Sequence, residues 1–146
     1  RGAARPTPAD PEGWHAFPEA EGPGFRRARR IDVTRDDAAG LIRINASFQD
    51  SAKLRGGGRV AIHEYELAAA VGLASGKLLS ITPTPRILPF GECPGAVANA
   101  QRLVGTPIAA VRETVLANLR GPEGCTHLND AMRALAEVPK LADYLL

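Results

Sequence analysis

The chain predicts an α+β domain, a four-stranded antiparallel β-meander followed by three helices packed on one face. Three observations carry this. Ile42, Ile44, Ala46 and Phe48 alternate with Arg43, Asn45, Ser47 and Gln49, the period of two expected of a sheet with one wet face. The strand-like segments all precede residue 91 and the helix-like spacing all follows it, and strands followed by helices in separate runs indicate α+β architecture. Glycine-bearing breaks at 36–40, 55–59 and 74–77 are short enough to be hairpin connections.

The elements follow in order. The β-branched stretch 29–35 is the first strand and ends at Asp36-Asp37-Ala38-Ala39-Gly40, so it pairs with the alternating second strand. The third strand covers 60–71 and the fourth 78–82, with the triple glycine at 56–58 read as a turn, since it lacks the Gly-Lys-Ser/Thr ending of a phosphate loop. Pro94 opens a first helix with Ala96, Val97, Ala100, Leu103 and Val104 on one face and Gly105 as its stop. Thr106-Pro107 opens a second, whose stripe is Ile108, Val111, Val115, Leu116 and Leu119. The third starts near Thr126 and carries Leu128, Ala131, Met132, Leu135 and Ala136; Pro139 disfavours a helical Val138, so a break should precede 141–146.

Composition bounds the function. With 146 residues, 45% of them hydrophobic, the chain can bury a core without disulfides or metals. Residues 1–24, with five prolines, form an expected disordered or loosely attached tail, leaving 25–146 as one domain. Two cysteines do not make a secreted disulfide framework, and no apolar run is long enough to span a membrane, so the expected location is the cytoplasm. The formal charge is only +2 and aromatics are 5% of residues, thin material for nucleic-acid binding. The expected partners are a small-molecule ligand and a second copy of the chain, paired through an edge strand or the apolar 141–146 patch, with neither nucleic acid nor membrane.

The chemistry concentrates in few residues. In the third strand, alternation turns His63 toward the apolar face and Glu64 away from it. Cys93 precedes Pro94 and Cys125 precedes Thr126, so both thiols stand at helix starts, where free N–H groups and the helix dipole attract negative charge. His127 lies two residues beyond Cys125, and Asp130, three further on, can orient its ring. Two cysteines and two histidines, Cys93, Cys125, His63 and His127, suit tetrahedral zinc, although the close pairs of a zinc finger are absent. The metal-free alternative is acid–base or nucleophilic catalysis by His63, His127 and Cys125, with Glu64 joining only if the strand twists or bulges. No cofactor is otherwise expected. Arg30 and Arg86 are candidate anchors for a ligand anion, with Cys93 and Tyr65 also facing the ligand; the arginine-rich stretch 26–35 also suits a solvated edge strand that resists aggregation.

Arg29-Arg30-Ile31, His63-Glu64-Tyr65, Cys93-Pro94, Arg102-Leu103-Val104-Gly105 and above all Gly124-Cys125-Thr126-His127-Leu128 resemble, in this order, the bacterial domain-of-unknown-function family 2889. In that family the histidine is typically followed by Asp and an apolar residue, where this chain has Glu64 and Tyr65. The resemblance implies importance for His63, Cys93, Cys125 and His127 and carries no activity. The functional expectation is a small bacterial enzyme of catabolic or secondary metabolism. It would use acid–base chemistry, of lyase, isomerase or cyclase type rather than hydrolase, on a small hydrophobic ligand with an anionic or carbonyl group, bound in an apolar pocket between sheet and helix starts. The alternative is a non-catalytic ligand-binding or partner module, with or without a structural zinc.

Overall fold

The sheet follows from its turns. In the computed structural model, which describes residues 21–89 and 93–145 and only the backbone of Cys93 and Pro94, β1 (Gly24–Asp36), β2 (Leu41–Lys53), β3 (Arg59–Gly72) and β4 (Leu78–Ile87) lie side by side in chain order, each antiparallel to the next. Asp36 closes the first hairpin by accepting the Ala39 N–H at 3.0 Å, and Gly40 adopts the left-handed φ of +67° that the turn requires. Between β2 and β3, Leu54 N–H donates to Gly58 O at 3.1 Å with Gly57 and Gly58 both at positive φ, so the triple glycine is a turn, as expected. β4 runs five residues past its expected end and includes Pro83 and Pro85. It is an outer strand, where a missing N–H on the free side costs no ladder bond. β1, with its arginines, is the other outer strand.

The helical half departs more from expectation. The stretch after Pro94 is two 3-10 turns, Cys93–Ala96 and Ala98–Leu103, and not an α-helix. Its buried residues Ala100 and Leu103 are three apart, the spacing that eclipses on a 3-10 turn and so suits one buried edge. A further 3-10 turn, Ile108–Ala110, leads into α1 (Val111–Asn118). Ile108, Val111, Val115 and Leu119 are buried as the stripe predicts, but Leu116 is 48% exposed and lies off it. α2 (Thr126–Ala134) starts where the pattern places it. After a 3-10 turn at Leu135–Glu137, α3 (Val138–Ala142) begins with Val138 itself helical at φ −53° and ψ −41°. Burial of the whole Val138 side chain outweighs the pre-proline preference, and Pro139 then occupies a first turn where its missing N–H is not needed.

The core lies between the layers. Ile44, Ala46, Phe48, Tyr65, Leu67, Val71 and Ile81 point from the sheet onto Leu103, Val111, Val115, Leu128, Met132 and Leu135. A fully buried Leu or Phe stabilises by roughly 1.5–3 kcal/mol relative to its exposed state, so this one face holds the domain together. The opposite face is polar, with Arg43, Asn45, Ser47 and Gln49 outward.

Candidate functional site

The inner face of the sheet turns polar at one end. By the strand register, Arg27 on β1 lies opposite Asp50 on β2, and Asp50 opposite His63 on β3, so three neighbouring strands contribute one inward side chain each to a single row. The β2–β3 register slips immediately after Asp50, and such a bulge sharpens the local twist and re-aims side chains. Asp50 and His63 are each only 2% exposed. Arg27 binds Asp50 through both Nε and Nη2 at 2.9 Å each, a bidentate pair, while its guanidinium lies 4.9 Å from the Phe48 ring centre. The hydrogen bond from Arg27 holds the Asp50 carboxyl below the usual carboxylate range against the opposing effect of burial.

α2 brings the other half. Cys125 is its N-cap residue and His127 lies in its first turn. The His127 and His63 rings have centroids 3.9 Å apart, and His127 Nε2 stands 3.5 Å from Asp50 Oδ2. Phe48 meets His63 edge-on at 6.4 Å and Tyr65 packs at 5.4 Å, both fully buried beneath it. His63, Cys125 and His127 each offer a donor atom, and these atoms lie within 4.8 Å of one another. Burial, and then the neighbouring His127, lower the His63 pKa below its ordinary value, with Asp50 pulling the other way. His63 Nε2 is buried without a hydrogen-bond partner among the described residues, a deficit of about 1–3 kcal/mol for an ordinary buried polar atom.

Gly124 explains how the thiol is held. A Cβ there would lie 2.5 Å from the Leu119 carbonyl oxygen, so only glycine allows the chain to pass so close to the end of α1. Asn129 Nδ2 donates to that same carbonyl at 2.7 Å, which ties α2 to α1 beside Cys125. At the rim, Asp130 accepts from Arg29 at 2.6 Å and Arg133 at 3.1 Å.

Of the residues singled out from the sequence, the fold unites His63, Cys125 and His127. Glu64 does not join them: it is on the polar face, where Gln49 Nε2 donates to it at 2.7 Å, because the bulge falls after the His63 row and leaves plain alternation in force. Arg30 and Arg86 also lie on that face, paired with Asp32 at 2.8 Å and Glu66 at 2.6 Å, and do not reach the cluster. Asp130 orients arginines, and Asp50 takes the place beside His127. Tyr65 supports His63 from below. The Cys93 side chain lies outside the described residues. Two clefts are described, about 340 Å³ on the polar face beside Asp32 and Ser80 and about 640 Å³ beside Leu54 and Gly57, and neither is lined by His63, Cys125 or His127. The cluster instead meets solvent at His127, whose side chain is 35% exposed, among charged Arg27, Arg29 and Asp130.

Asp50 and Arg27 were the residues missed, although a signal existed: Asp50 is the next inward position after Ile42, Ile44, Ala46 and Phe48. A carboxylate continuing an apolar face calls for a partner.

Fold and site define a small α+β domain with an imidazole–thiol cluster set against a buried carboxylate–guanidinium pair. The family model described as Protein of unknown function (DUF2889) matches residues 25–140, and the chain belongs to that family. Searches of curated proteins and of solved structures found no match.

Proposed function

We propose that the protein is a bacterial enzyme that moves a proton on a small hydrophobic ligand bearing a carbonyl or anionic group, in a reaction of lyase, isomerase or cyclase type. One observation carries this reading: two imidazoles in ring contact, one buried and one partly open, stand against a carboxylate fixed by a bidentate guanidinium. Such an arrangement supplies a base with an oriented partner, the requirement for general acid–base catalysis. His127 is the group that meets the ligand, Asp50 orients it, and His63 is the buried second carrier. Arg29, at the rim, 38% exposed and paired with Asp130, is the cation assigned to the ligand's anionic group. Arginine pairing across the fold, as in Arg27–Asp50, Arg43–Asp36 and Arg102–Glu123, supports a small ligand over nucleic acid, because these cations are already neutralised. No helix among the described residues is long and apolar enough to cross a membrane. The reading includes a cytoplasmic protein that pairs with a second copy through the apolar surface around Leu141 and Tyr144, which are 37% and 73% exposed.

The test is proton exchange at carbon. A panel of aryl and alkyl keto acids incubated with the protein in D2O is followed by NMR for loss of the proton next to the carbonyl. Catalysed exchange that falls at least about 100-fold in His127→Ala, within the range that one acid–base group supplies, supports the reading. Exchange of equal rate in the variant, or ligands that bind without any exchange, would reject it.

A further inference from the structure

We infer that His63, Cys125 and His127 form a binding site for one divalent transition metal of the zinc class, held by three protein donors with a coordination position left for a ligand. Two independent observations converge on it. The three donor atoms lie within 4.8 Å of one another, and His63 Nε2, on a residue 2% exposed, has no hydrogen-bond partner among the described residues. A buried imidazole nitrogen with no hydrogen-bond partner among the described residues is available to ligate a metal.

Geometry and donor type agree. Around a tetrahedral ion with bonds of about 2.0 Å to nitrogen and 2.3 Å to sulfur, neighbouring donors stand about 3.3–3.5 Å apart. The cluster therefore has to contract by at most about 1.5 Å at its widest. Half-buried Cys125 and partly exposed His127 can turn to supply this, while His63 stays fixed. Two imidazoles and a thiolate exclude magnesium and calcium, which take oxygen, and suit zinc, cobalt or nickel. Asp50, 3.5 Å from His127 Nε2 and locked by Arg27, is the outer carboxylate that orients a ligating imidazole. Three donors among the described residues, one of them a partly exposed ligand at the rim, match an open site.

The site stands on donor geometry and does not depend on the proton-transfer reading.

Cobalt(II) is the probe, because a thiolate ligand gives it a near-ultraviolet charge-transfer band and tetrahedral geometry gives it strong visible bands. The full chain, stripped with chelator, is titrated with cobalt(II) and then with zinc(II) in competition. The expected result is one equivalent bound with both sets of bands. Cys125→Ser should remove the charge-transfer band, and His127→Ala, at the partly exposed position, should weaken binding at least 10-fold. Asp50→Asn should keep the stoichiometry and the charge-transfer band and weaken binding about 10–100-fold. Circular dichroism of each chelated variant establishes that it remains folded. No saturable binding, or a charge-transfer band that survives Cys125→Ser, overturns the site. Loss of the bands in Cys93→Ser as well overturns the open position in favour of four protein donors. Failure here leaves carbon-proton exchange untouched as a separate readout, and metal binding without exchange rejects only the proton-transfer reading.

Discussion

Arg27→Met isolates what the guanidinium does for the row it begins. Breaking a buried ion pair by removing one partner costs about 3–5 kcal/mol, whereas an exposed pair contributes about 0–1 kcal/mol. Here the Asp50 side chain is 3% exposed and that of Arg27 46%, so the loss falls between these limits, about 2 kcal/mol. With an unfolding entropy of about 2.1 cal/mol/K per residue over the roughly 120 described residues, that lowers Tm by about 8 °C. The pH dependence gives the sharper test. In the native chain Arg27 depresses the Asp50 pKa, so its contribution is present above the unfolded value, about 3.9, and is lost as pH falls through the folded value. Without Arg27, burial raises the Asp50 pKa, and the variant recovers relative stability as the carboxyl takes a proton. The gap between native and variant chains is therefore widest at pH 7 and narrows toward pH 4. Thermal melts in chelator at both pH values measure it, alongside Asp50→Asn and the double variant. Arg27→Lys keeps the charge but loses the fork and should fall between. A gap that does not change with pH, or single effects that add in the double variant, would refute the pairing as the source.

Three further outcomes follow. Gly124→Ala drives a Cβ against the Leu119 carbonyl and should cost about 1–3 kcal/mol, as overpacking does; an unchanged Tm would show that the loop yields freely. Leu128→Ala should lose about 2–5 kcal/mol by chemical denaturation, and Leu116→Ala less than about 0.5 kcal/mol, since the first residue is fully buried and the second 48% exposed; similar losses would contradict the helix orientation. His63 has a folded pKa below its ordinary value of about 6.5, so its neutral form contributes stability that is full above that value and drains as pH falls below it. In chelator, the loss on going from pH 7 to pH 5 should therefore be smaller in His63→Leu than in the native chain, and equal losses would remove His63 as the cause.

The sheet was legible because its signals are local. Alternation in β2 and glycine at each turn fix which side chains face inward, and His63 came out on the correct face from parity alone. The helical half was less legible for physical reasons. Apolar residues at 96, 97, 100 and 103 fit an α-helix and a run of 3-10 turns almost equally well, and Val138 is helical because the core needs its side chain. The site divides the same way. The motif around Cys125 and His127 announces itself, whereas Asp50 and Arg27 matter through register, a long-range property. An acid on a half-apolar strand is common, and only the pairing with β1 and β3 shows that Asp50 is enclosed between Arg27 and His63.

The pentapeptide Gly124-Cys125-Thr126-His127-Leu128 then has a mechanical meaning. Leu128 is fully buried in the main core, and Gly124 gives the close passage against α1. Those two fixed points leave the residues between them almost no freedom. The helix start at Thr126 turns Cys125 and His127 toward the polar end of the sheet while Leu128 faces its apolar part. The other members of the cluster, His63, Asp50 and Arg27, come from strands some 60–100 residues earlier in the chain. The full cluster therefore exists only when sheet and α2 have docked, since the strand pairings bring Arg27, Asp50 and His63 into one row and only α2 supplies Cys125 and His127. This coupling lets the fold bear the cost of a buried carboxylate and of a buried imidazole nitrogen with no hydrogen-bond partner among the described residues. Core contacts far from the cluster supply the stability, and the polar end of the inner face is left free to be arranged for chemistry.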